Sequence, residues 1–321
     1  MLKVGILGCG GISGVHVPGW KNYDGAEIVA YCDIRPEQME KYGYKTDSEA
    51  LYYTDYKEMV ENEKLDVIDI CLPTFLHVEH AVDAMKRGIN VICEKPLTLN
   101  KSDIDLCYNT AKENNVKFMV AQCVRFWNEY VYLKEIYDTK KYGNLLSASM
   151  VRISGFPHTA WNDWMADTSK SGGVAYDMHI HDVDYMVYLL GAPKDMLCKR
   201  IKTEENDQTA AIFDYGNFYV NVICGWCNAP YRFRSEFRFV FDNAVVAYEN
   251  DELTIYTNEG ELRPFSVQTR DEGTVHSLPK TDAYGDEIRY FADCIRNKKP
   301  VEILKPEELK ETLSLIEKYS H

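Results

Sequence analysis

One lysine stands where a positive charge could stabilise negative charge that develops during a reaction. Lys95 belongs to the tripeptide Glu94-Lys95-Pro96, which directly follows the short apolar run Asn90 to Cys93. A residue at the carboxyl end of a strand in a doubly wound sheet points into the crevice where such folds bind their ligands. The context therefore predicts that Lys95 lies beside a bound cofactor, whereas a lone lysine is ordinarily a solvated surface residue.

A second group of polar residues lies in an apolar segment that begins at Ser171 and runs to Leu190. The pattern predicts a mostly buried helix. Asp177, His181 and Asp184 are spaced i, i+4 and i+7, so they share one face. Burying such a stripe costs free energy unless its members are paired or used, which indicates a functional site. The alternative is a His181 that is satisfied by Asp177 inside the core.

Metal binding by the same segment is a weaker alternative. Asp177, His179 and His181 would offer three ligands if the chain were extended there. The helical pattern instead places His179 on a different face from the other two. We therefore expect no metal site.

A glycine-rich turn follows the first predicted strand, Lys3 to Leu7, and opens a helix. In this context Gly8 allows a tight turn and Gly10 lets a pyrophosphate approach the backbone. Ser13 replaces the third glycine and is still small enough for the helix to pack on the strand. The amino terminus of the helix supplies backbone donors to phosphate. The residues predicted to form this dinucleotide site are Gly8, Gly10, Gly11, Ile12 and Ser13.

The second predicted strand ends at Asp33. A carboxylate at this position can accept hydrogen bonds from both hydroxyls of the adenosine ribose, which favours NAD over NADP. Arg35 lies two residues further on and could instead meet a 2′-phosphate, so NADP remains a possible cofactor. The alternative for Arg35 is a solvated charge at the start of a helix.

The elements that carry these residues fall into two halves. Residues 1–122 alternate strand and helix patterns, which predicts a dinucleotide-binding domain with a parallel, doubly wound sheet. Thr74 is expected to cap one helix and Gly88 to end it. Residues 123–321 contain successive strands separated by turn residues, which predicts an α+β domain with a large, open, mainly antiparallel sheet. We expect one face of this sheet to pack on helices and the other on a second subunit.

Composition excludes several classes of protein. The 321 residues carry a formal net charge of -14, so we do not expect nucleic acid as a partner. Neither a leader peptide nor a run of roughly 20 apolar residues is visible, which favours a cytoplasmic protein without a membrane span. The ten cysteines lie mostly in apolar runs and are expected to be reduced core residues, including the pair Cys224 and Cys227.

Taken together, these motifs resemble the glucose-fructose oxidoreductase, inositol dehydrogenase and MocA-like family of NAD(P)-dependent oxidoreductases. The resemblance spans nearly the whole chain. It rests on the glycine turn, Asp33, the loop Pro73 to His77, the tripeptide around Lys95, and the segment with Gly173, Asp177, His181 and Asp184, which occur in the family's order. The resemblance implies that Lys95, Asp177 and His181 meet over the nicotinamide and that the substrate is a sugar, inositol or other polyol.

The resemblance also implies roles for these residues. His181 would accept the hydroxyl proton as general base, Lys95 would donate to the substrate oxygen, and Asp177 would hold the imidazole or bind a neighbouring hydroxyl. Further positions match the family more loosely. The implied cofactor contacts are Pro73, Thr74, His77, Glu94 and Gln122, and the implied substrate contacts are Arg125, Trp161 and Trp164.

Several alternatives stay open. Arg125 could form a salt bridge at the domain junction, and the two tryptophans could form a subunit contact. Asn128 and His179 depart from the proline and glycine of many relatives, which affects the substrate assignment but not the fold. Family habit and the aromatic sheet face suggest a homodimer or homotetramer. The same fold also carries redox-neutral, NAD-dependent glycoside hydrolases and could serve a sensor that binds dinucleotide without turnover.

Overall fold

A computed structural model describes residues 1–41, 50–158, 160–264 and 283–320. The chain forms two compact units. The first contains Met1–Phe126 and Asp282–Pro306, and the second contains Trp127–Thr281 and Glu307–His321. The division lies close to the predicted boundary at residue 122, but the chain passes between the units more than once.

The first unit is built on a six-stranded sheet. All its strand pairs are parallel, and the spatial order is β3-β2-β1-β4-β5-β6. This is the order of a doubly wound dinucleotide-binding fold, as the alternating pattern predicts. The strands are β1 Leu2–Leu7, β2 Ala26–Cys32, β3 Leu51–Tyr53, β4 Val67–Ile70, β5 Asn90–Glu94 and β6 Phe118–Ala121. The helices are α1 Ser13–Lys21, α2 Pro36–Lys41, α3 Tyr56–Asn62, α4 Thr74–Lys86 and α5 Lys101–Glu113. Strand β3 has only three residues and was not predicted.

A late helix, α9 at Ala283–Arg296, also belongs to the first unit. The sequence placed this segment in the second domain, and the structure differs because α9 completes the first core. Ile288 and Phe291 are fully buried in one apolar cluster with Trp20 of α1. A Cβ added to Gly19 would lie 2.6 Å from Cδ1 of Ile288, so the glycine allows the two helices to approach closely.

The second unit contains an eight-stranded sheet of order β14-β13-β12-β11-β7-β10-β9-β8. Among the described strands, β7 and β10 form the one parallel pair, so the prediction of a mainly antiparallel sheet is confirmed. The strands are β7 Leu145–Gly155, β8 Asp195–Lys202, β9 Asp207–Asp214, β10 Tyr219–Cys227, β11 Arg234–Phe241, β12 Ala244–Glu249, β13 Glu252–Thr257 and β14 Gly260–Leu262. The helices are α6 Asn128–Asp138, α7 Thr168–Ser171, α8 Ile180–Leu190 and α10 Pro306–Glu317.

The two faces of this sheet differ in exposure. Along β9, Ala211 and Phe213 are buried, whereas the alternating residues Ala210 and Ile212 are exposed. Such alternation is expected for an antiparallel sheet with one face on the core. In the described part of the chain, no helix combines the length and apolar character that crossing a membrane requires.

Candidate active site

The glycine turn of the first unit adopts a conformation that requires glycine at its first position. Gly8 has a φ of +93°, and its N–H donates to the carbonyl of Cys32 over 2.8 Å. A Cβ at Gly8 would lie 2.6 Å from the carbonyl oxygen of Cys71. At Gly10, by contrast, an added Cβ would meet nothing within 4 Å. The turn therefore packs against the sheet on one side and leaves space at Gly10.

The start of α1 fits an anion. Its cap residue, Ile12, contributes no side-chain hydrogen bond, and Gly14 donates its N–H to the carbonyl of Gly11 over 3.1 Å. Ser13 is fully buried and donates its hydroxyl to the carbonyl of Gly10 over 2.6 Å. A helix amino terminus that its cap side chain does not satisfy offers backbone donors to phosphate. The small side chain of Ser13 also helps to fix the turn.

Asp33 follows β2 and is buried next to this turn. One carboxylate oxygen accepts the N–H of Cys9 over 2.9 Å, and the other accepts the N–H of Arg35 over 2.9 Å. The Nε atom of Arg35 lies 3.5 Å from the second oxygen. The carboxylate thus orients the glycine turn, and its contact with a ribose stays a prediction.

The loop after β4 carries three of the predicted cofactor contacts. Pro73 occupies the cap position of α4 and Thr74 is its first, buried residue, so the predicted cap at Thr74 is wrong by one position. His77 is buried with Nδ1 2.8 Å from the carbonyl oxygen of Pro96 and Nε2 2.7 Å from that of Leu72. Burial lowers the pKa of His77, and the hydrogen bonds to these two carbonyls partly oppose that shift.

Gln122 follows β6 and has an unusual environment for an amide. Its side chain is 2% exposed, and within the described part of the chain neither amide atom has a hydrogen-bond partner. A buried amide without partners costs free energy unless a ligand supplies them. The residue lies at the same carboxyl edge of the sheet as Gly8, Asp33 and Lys95, where a cofactor binds in this fold.

Lys95 is half-buried and follows the last residue of β5. Its N–H donates to Oε2 of Glu94 over 3.0 Å, while Oε1 of Glu94 lies 2.9 Å from Nε2 of His16. Both oxygens of this buried carboxylate are therefore engaged within the first unit. The predicted contact of Glu94 with a cofactor stays a prediction.

One buried group of the first unit has the composition of a metal site. In the described residues, His16, Asp69 and Cys71 place possible ligand atoms close together. Nδ1 of His16 lies 2.9 Å from a carboxylate oxygen of Asp69, which is hydrogen-bond distance. Burial, and then the charge of Asp69, raise the pKa of the Cys71 thiol to about 12, so it stays protonated at neutral pH. Hydrogen bonding accounts for this arrangement without an ion.

In the second unit, the segment predicted as one helix is interrupted. Helix α7 ends at Ser171, and Gly172 and Gly173 follow with φ values of +73° and +68°. A π-helical turn then covers Ala175–His179 before α8 begins at Ile180. Two left-handed residues cannot continue a helix, which explains the break. π-helical turns of this kind occur frequently at functional sites.

The three polar residues predicted to share one helix face, Asp177, His181 and Asp184, differ in their exposure to solvent. From Ser171 to Leu190, all of which is described, every residue is buried except Asp177, His181, Tyr188 and Leu190, which are partly exposed. Asp184 is 1% exposed. Asp177 and His181 are therefore partly accessible to solvent, whereas Asp184 belongs to the interior.

His179 lies between these two residues in sequence but is fully buried. Its Nδ1 atom lies 3.1 Å from the hydroxyl of Thr209 and 2.8 Å from that of Tyr319. Burial, reinforced by the charge of Arg152, lowers the pKa of His179 to about 3. The ring is therefore neutral and ties the π-helical turn to β9 and to the end of the chain.

Two buried ion pairs that the sequence did not reveal support the segment. Arg152 of β7 binds Asp182 of α8 through Nη2 at 2.8 Å and Nε at 3.0 Å. Arg200 binds Asp207 through Nε at 2.7 Å and Nη2 at 2.6 Å. The partners are 30 and 7 residues apart in sequence. The contact of α8 with β7 brings the first pair together, and the pairing of β8 with β9 brings the second together, so spacing in the sequence gave no signal.

The predicted substrate contacts have different environments. Arg125 is 3% exposed and donates from Nη1 to the carbonyl of Ile303 over 2.6 Å within the first unit. Trp161 and Trp164 are partly exposed at a short 3₁₀ turn. Trp164 packs on a buried cluster that includes Met178 and Trp226. The tryptophan loop is thus anchored beside the segment that carries Asp177.

Comparison with known proteins decides the family. Residues 2–122 match a model described as an oxidoreductase family with an NAD-binding Rossmann fold, and residues 130–263 match the GFO/IDH/MocA C-terminal domain. A myo-inositol 2-dehydrogenase from Thermotoga maritima is 30% identical over 300 residues, which cover 90% of this chain and 82% of the relative. The chain belongs to the GFO/IDH/MocA family. The resemblance drawn from the motifs is confirmed, and the first unit is an NAD-binding Rossmann domain.

Other members of the GFO/IDH/MocA family extend the comparison. A 2,7-anhydro-N-acetylneuraminate hydratase from Mediterraneibacter gnavus is 30% identical over 171 residues, which cover 53% of this chain and 44% of that protein. The chain spans about half the length of this and another curated relative that it matches. The solved structure of a myo-inositol 2-dehydrogenase from Lactobacillus plantarum is 25% identical, with a TM-score of 0.80 over 98% of this chain and 95% of that one.

Proposed function

We propose that this protein is an NAD(P)-dependent oxidoreductase that transfers a hydride between a carbinol carbon of a sugar, inositol or other polyol and the nicotinamide. The observation that carries the proposal is the accessibility of Asp177 and His181 in a segment that is otherwise almost wholly buried. Relatives named as dehydrogenases of myo-inositol, glucose 6-phosphate and D-glucoside support the substrate class.

NAD fits the residues of the first unit. Gly8 to Ser13 would bind the pyrophosphate, Asp33 the ribose, and the amide of Gln122 would gain the partners that it lacks in the described chain. Thr74 and Lys95 follow neighbouring strands at the same edge of the sheet. Arg35 already lies near the carboxylate of Asp33, so a 2′-phosphate would have to compete for it. We therefore propose NAD as the preferred cofactor, with NADP possible.

The proposed chemistry divides among three side chains that act on one substrate. His181 would take the proton from the substrate hydroxyl, since histidine ordinarily titrates near neutral pH. Lys95 would donate a hydrogen bond to the same oxygen and stabilise its alkoxide character. Asp177 would orient the imidazole or bind a neighbouring hydroxyl. The cofactor supplies the hydride acceptor, and the protein supplies position and charge.

A redox-neutral reaction is a second candidate, favoured by the relative named as a hydratase. Hydration involves no net oxidation, so such an enzyme would retain NAD and release none reduced. A glycoside hydrolase that oxidises its substrate transiently would behave in the same way. A sensor without turnover is less well supported because Lys95, Asp177 and His181 are all present.

The test is the absorbance of reduced nicotinamide when purified protein is incubated with NAD or NADP and a panel of inositols, polyols and aldoses. We expect reduction with one substrate class and none with Lys95→Ala. Lys86→Ala is the matched control because Lys86 is an exposed lysine of α4. Tight NAD binding without reduction on any substrate would contradict the dehydrogenase proposal, and product analysis with anhydro sugars and aryl glycosides would then test the redox-neutral one.

We also propose that the protein is a homodimer or homotetramer formed through the open face of the second sheet. Leu197 and Ile212 are paired across β8 and β9 and are 73% and 43% exposed, and Ile223 of β10 is 36% exposed. Exposed apolar residues on one sheet face are typical of a subunit contact. Sedimentation of wild type and Leu197→Glu tests this, because a monomeric wild type would contradict it.

A further inference from the structure

His16 connects helix α1 to two neighbouring strands of the first sheet. Its ring is 0% exposed. Nδ1 lies 2.9 Å from Oδ2 of Asp69 in β4, and Nε2 lies 2.9 Å from Oε1 of Glu94 at the end of β5. Both ring nitrogens therefore face carboxylates, and the second of these carboxylates directly precedes Lys95.

The hydrogen-bond partners fix the charge of this ring. Asp69 also accepts the indole N–H of Trp20 over 2.7 Å, and Glu94 accepts the N–H of Lys95 over 3.0 Å. Ionised carboxylates can only accept hydrogen bonds, so both ring nitrogens must donate, and only the imidazolium form does so. Burial acts to lower the pKa of His16, but the charge and hydrogen bond of Asp69 outweigh it and raise the pKa well above its ordinary value.

A third acidic residue lies in the same interior but does not compete with these two carboxylates for a hydrogen bond to the imidazolium. Glu287 of α9 is 0% exposed, and neither carboxylate oxygen has a hydrogen-bond partner among the residues that the structure describes. Burial raises the pKa of Glu287 well above its ordinary value, although the charge of His16 opposes this. Glu287 thus makes no hydrogen bond to His16 in the described structure, and the two ring nitrogens contact Asp69 and Glu94.

We propose that His16 is a positioning residue for Lys95. Glu94 contacts the imidazolium with one oxygen and the backbone N–H of Lys95 with the other. The ion pair therefore determines the position of Lys95 at the end of β5. On the other side of Lys95, the carbonyl of Pro96 is bound by His77. Loss of His16 would leave the Glu94 carboxylate buried without its cation, which is strongly unfavourable and would turn that side chain away. The inference rests on the proposed function for the catalytic role of Lys95, but the positioning of Lys95 by His16 does not depend on it.

The test compares His16→Gln with Trp20→Phe. Trp20→Phe removes another hydrogen bond to Asp69 and so loosens the same interior, but it leaves the contact of His16 with Glu94. We expect His16→Gln to lower kcat by roughly 10- to 100-fold with KM and the NAD dissociation constant nearly unchanged, since small misplacements of a catalytic group have effects of this size. Trp20→Phe should lower the Tm and leave kcat near that of wild type.

A measurement without turnover separates this inference from the proposed function. Acetylation of Lys95 by acetic anhydride, followed by mass spectrometry, reports how firmly the side chain is held. We expect the rate to rise in His16→Gln and to be unchanged in Trp20→Phe. If His16→Gln does not fold, Glu94→Gln is used, since it removes the negative charge while His16 stays paired with Asp69.

The outcomes are distinct. Unchanged kcat and unchanged acetylation in His16→Gln, or equal changes in Trp20→Phe, would overturn the positioning role. A wild type without turnover on any substrate would overturn the proposed function, and the acetylation rates would still decide whether His16 positions Lys95.

Discussion

Val174 donates its backbone N–H to Oδ2 of Asp207 over 3.1 Å, where the chain enters the segment that carries the candidate acid and base. The same carboxylate is bound by Arg200. The preceding residue, Gly173, has a φ of +68°, and a Cβ there would lie 2.4 Å from Nη2 of Arg200 and 2.6 Å from Oδ2 of Asp207. A glycine is therefore required for the ion pair to close over this backbone.

Gly173→Ala should accordingly destabilise the protein by more than about 2 kcal/mol, because it combines left-handed strain with displacement of a buried ion pair. Gly88→Ala is the matched control, since Gly88 has a φ of +81° and open space for a Cβ. It should cost only about 1 kcal/mol. Urea unfolding of the two variants checks this, and equal losses would show that the contact with Arg200 and Asp207 relaxes freely.

His181→Gln should lower kcat by roughly 10²- to 10⁴-fold, the usual contribution of a general acid or base. The NAD dissociation constant should change little, because no phosphate or ribose contact is assigned to this residue. His158→Gln is the control, since His158 is an exposed histidine of the same unit. Steady-state kinetics with the substrate found in the panel gives the result. Full activity of His181→Gln would remove His181 from the mechanism.

Asp33→Ala should weaken the binding of NAD about 10-fold or more relative to the binding of NADP, because a charged hydrogen bond to the ribose hydroxyls is lost. Both cofactors should also lose some affinity, since Asp33 accepts the N–H of Cys9 and so orients the glycine turn. The ratio of the two dissociation constants, measured by titration, is therefore the informative quantity. If the ratio stays that of wild type, Asp33 orients the turn without distinguishing the two cofactors.

His179 should make stability fall in acid. Its folded-state pKa is about 3, below the ordinary 6.5, so the unfolded chain binds a proton first as the pH falls. The stability that the neutral ring contributes is present above pH 6.5 and is lost between pH 6.5 and about 3, at about 1.4 kcal/mol for each pH unit. Between pH 7 and pH 5 wild type should thus lose about 2 kcal/mol more than His179→Gln. Equal slopes in urea unfolding would contradict a neutral buried ring.

The sequence predicted much of the first unit because its signals are local. Each short apolar strand is followed within a few residues by a turn, and parallel strands bring those turns to one edge of the sheet. The sequence therefore predicted that Gly8, Asp33 and Lys95 lie at the same edge. Gly88 lies just beyond α4 with positive φ, as expected of a residue that ends a helix. The turn residues of the second sheet likewise separate its strands.

The missed features depend on contacts between residues that are distant in sequence. Asp207 binds the N–H of Val174, and Tyr319 contacts His179, only after the sheet and residues 306–320 are folded. The π-helical turn was missed because a periodic pattern of apolar residues does not distinguish it from an α-helix. The assignment of α9 to the first unit was missed because its partner helix, α1, lies more than 250 residues earlier.

The position of α9 has a consequence for biosynthesis. The apolar cluster around Trp20 is completed by Ile288 and Phe291, so the ribosome must synthesise α9 before the Rossmann core can close. Until then the nascent first unit exposes the apolar surface of α1, and the second unit is also incomplete because it includes residues 307–321. A fragment that ends at residue 122 would carry the same defect, and expression of the dinucleotide-binding domain would require α9 to be supplied with it.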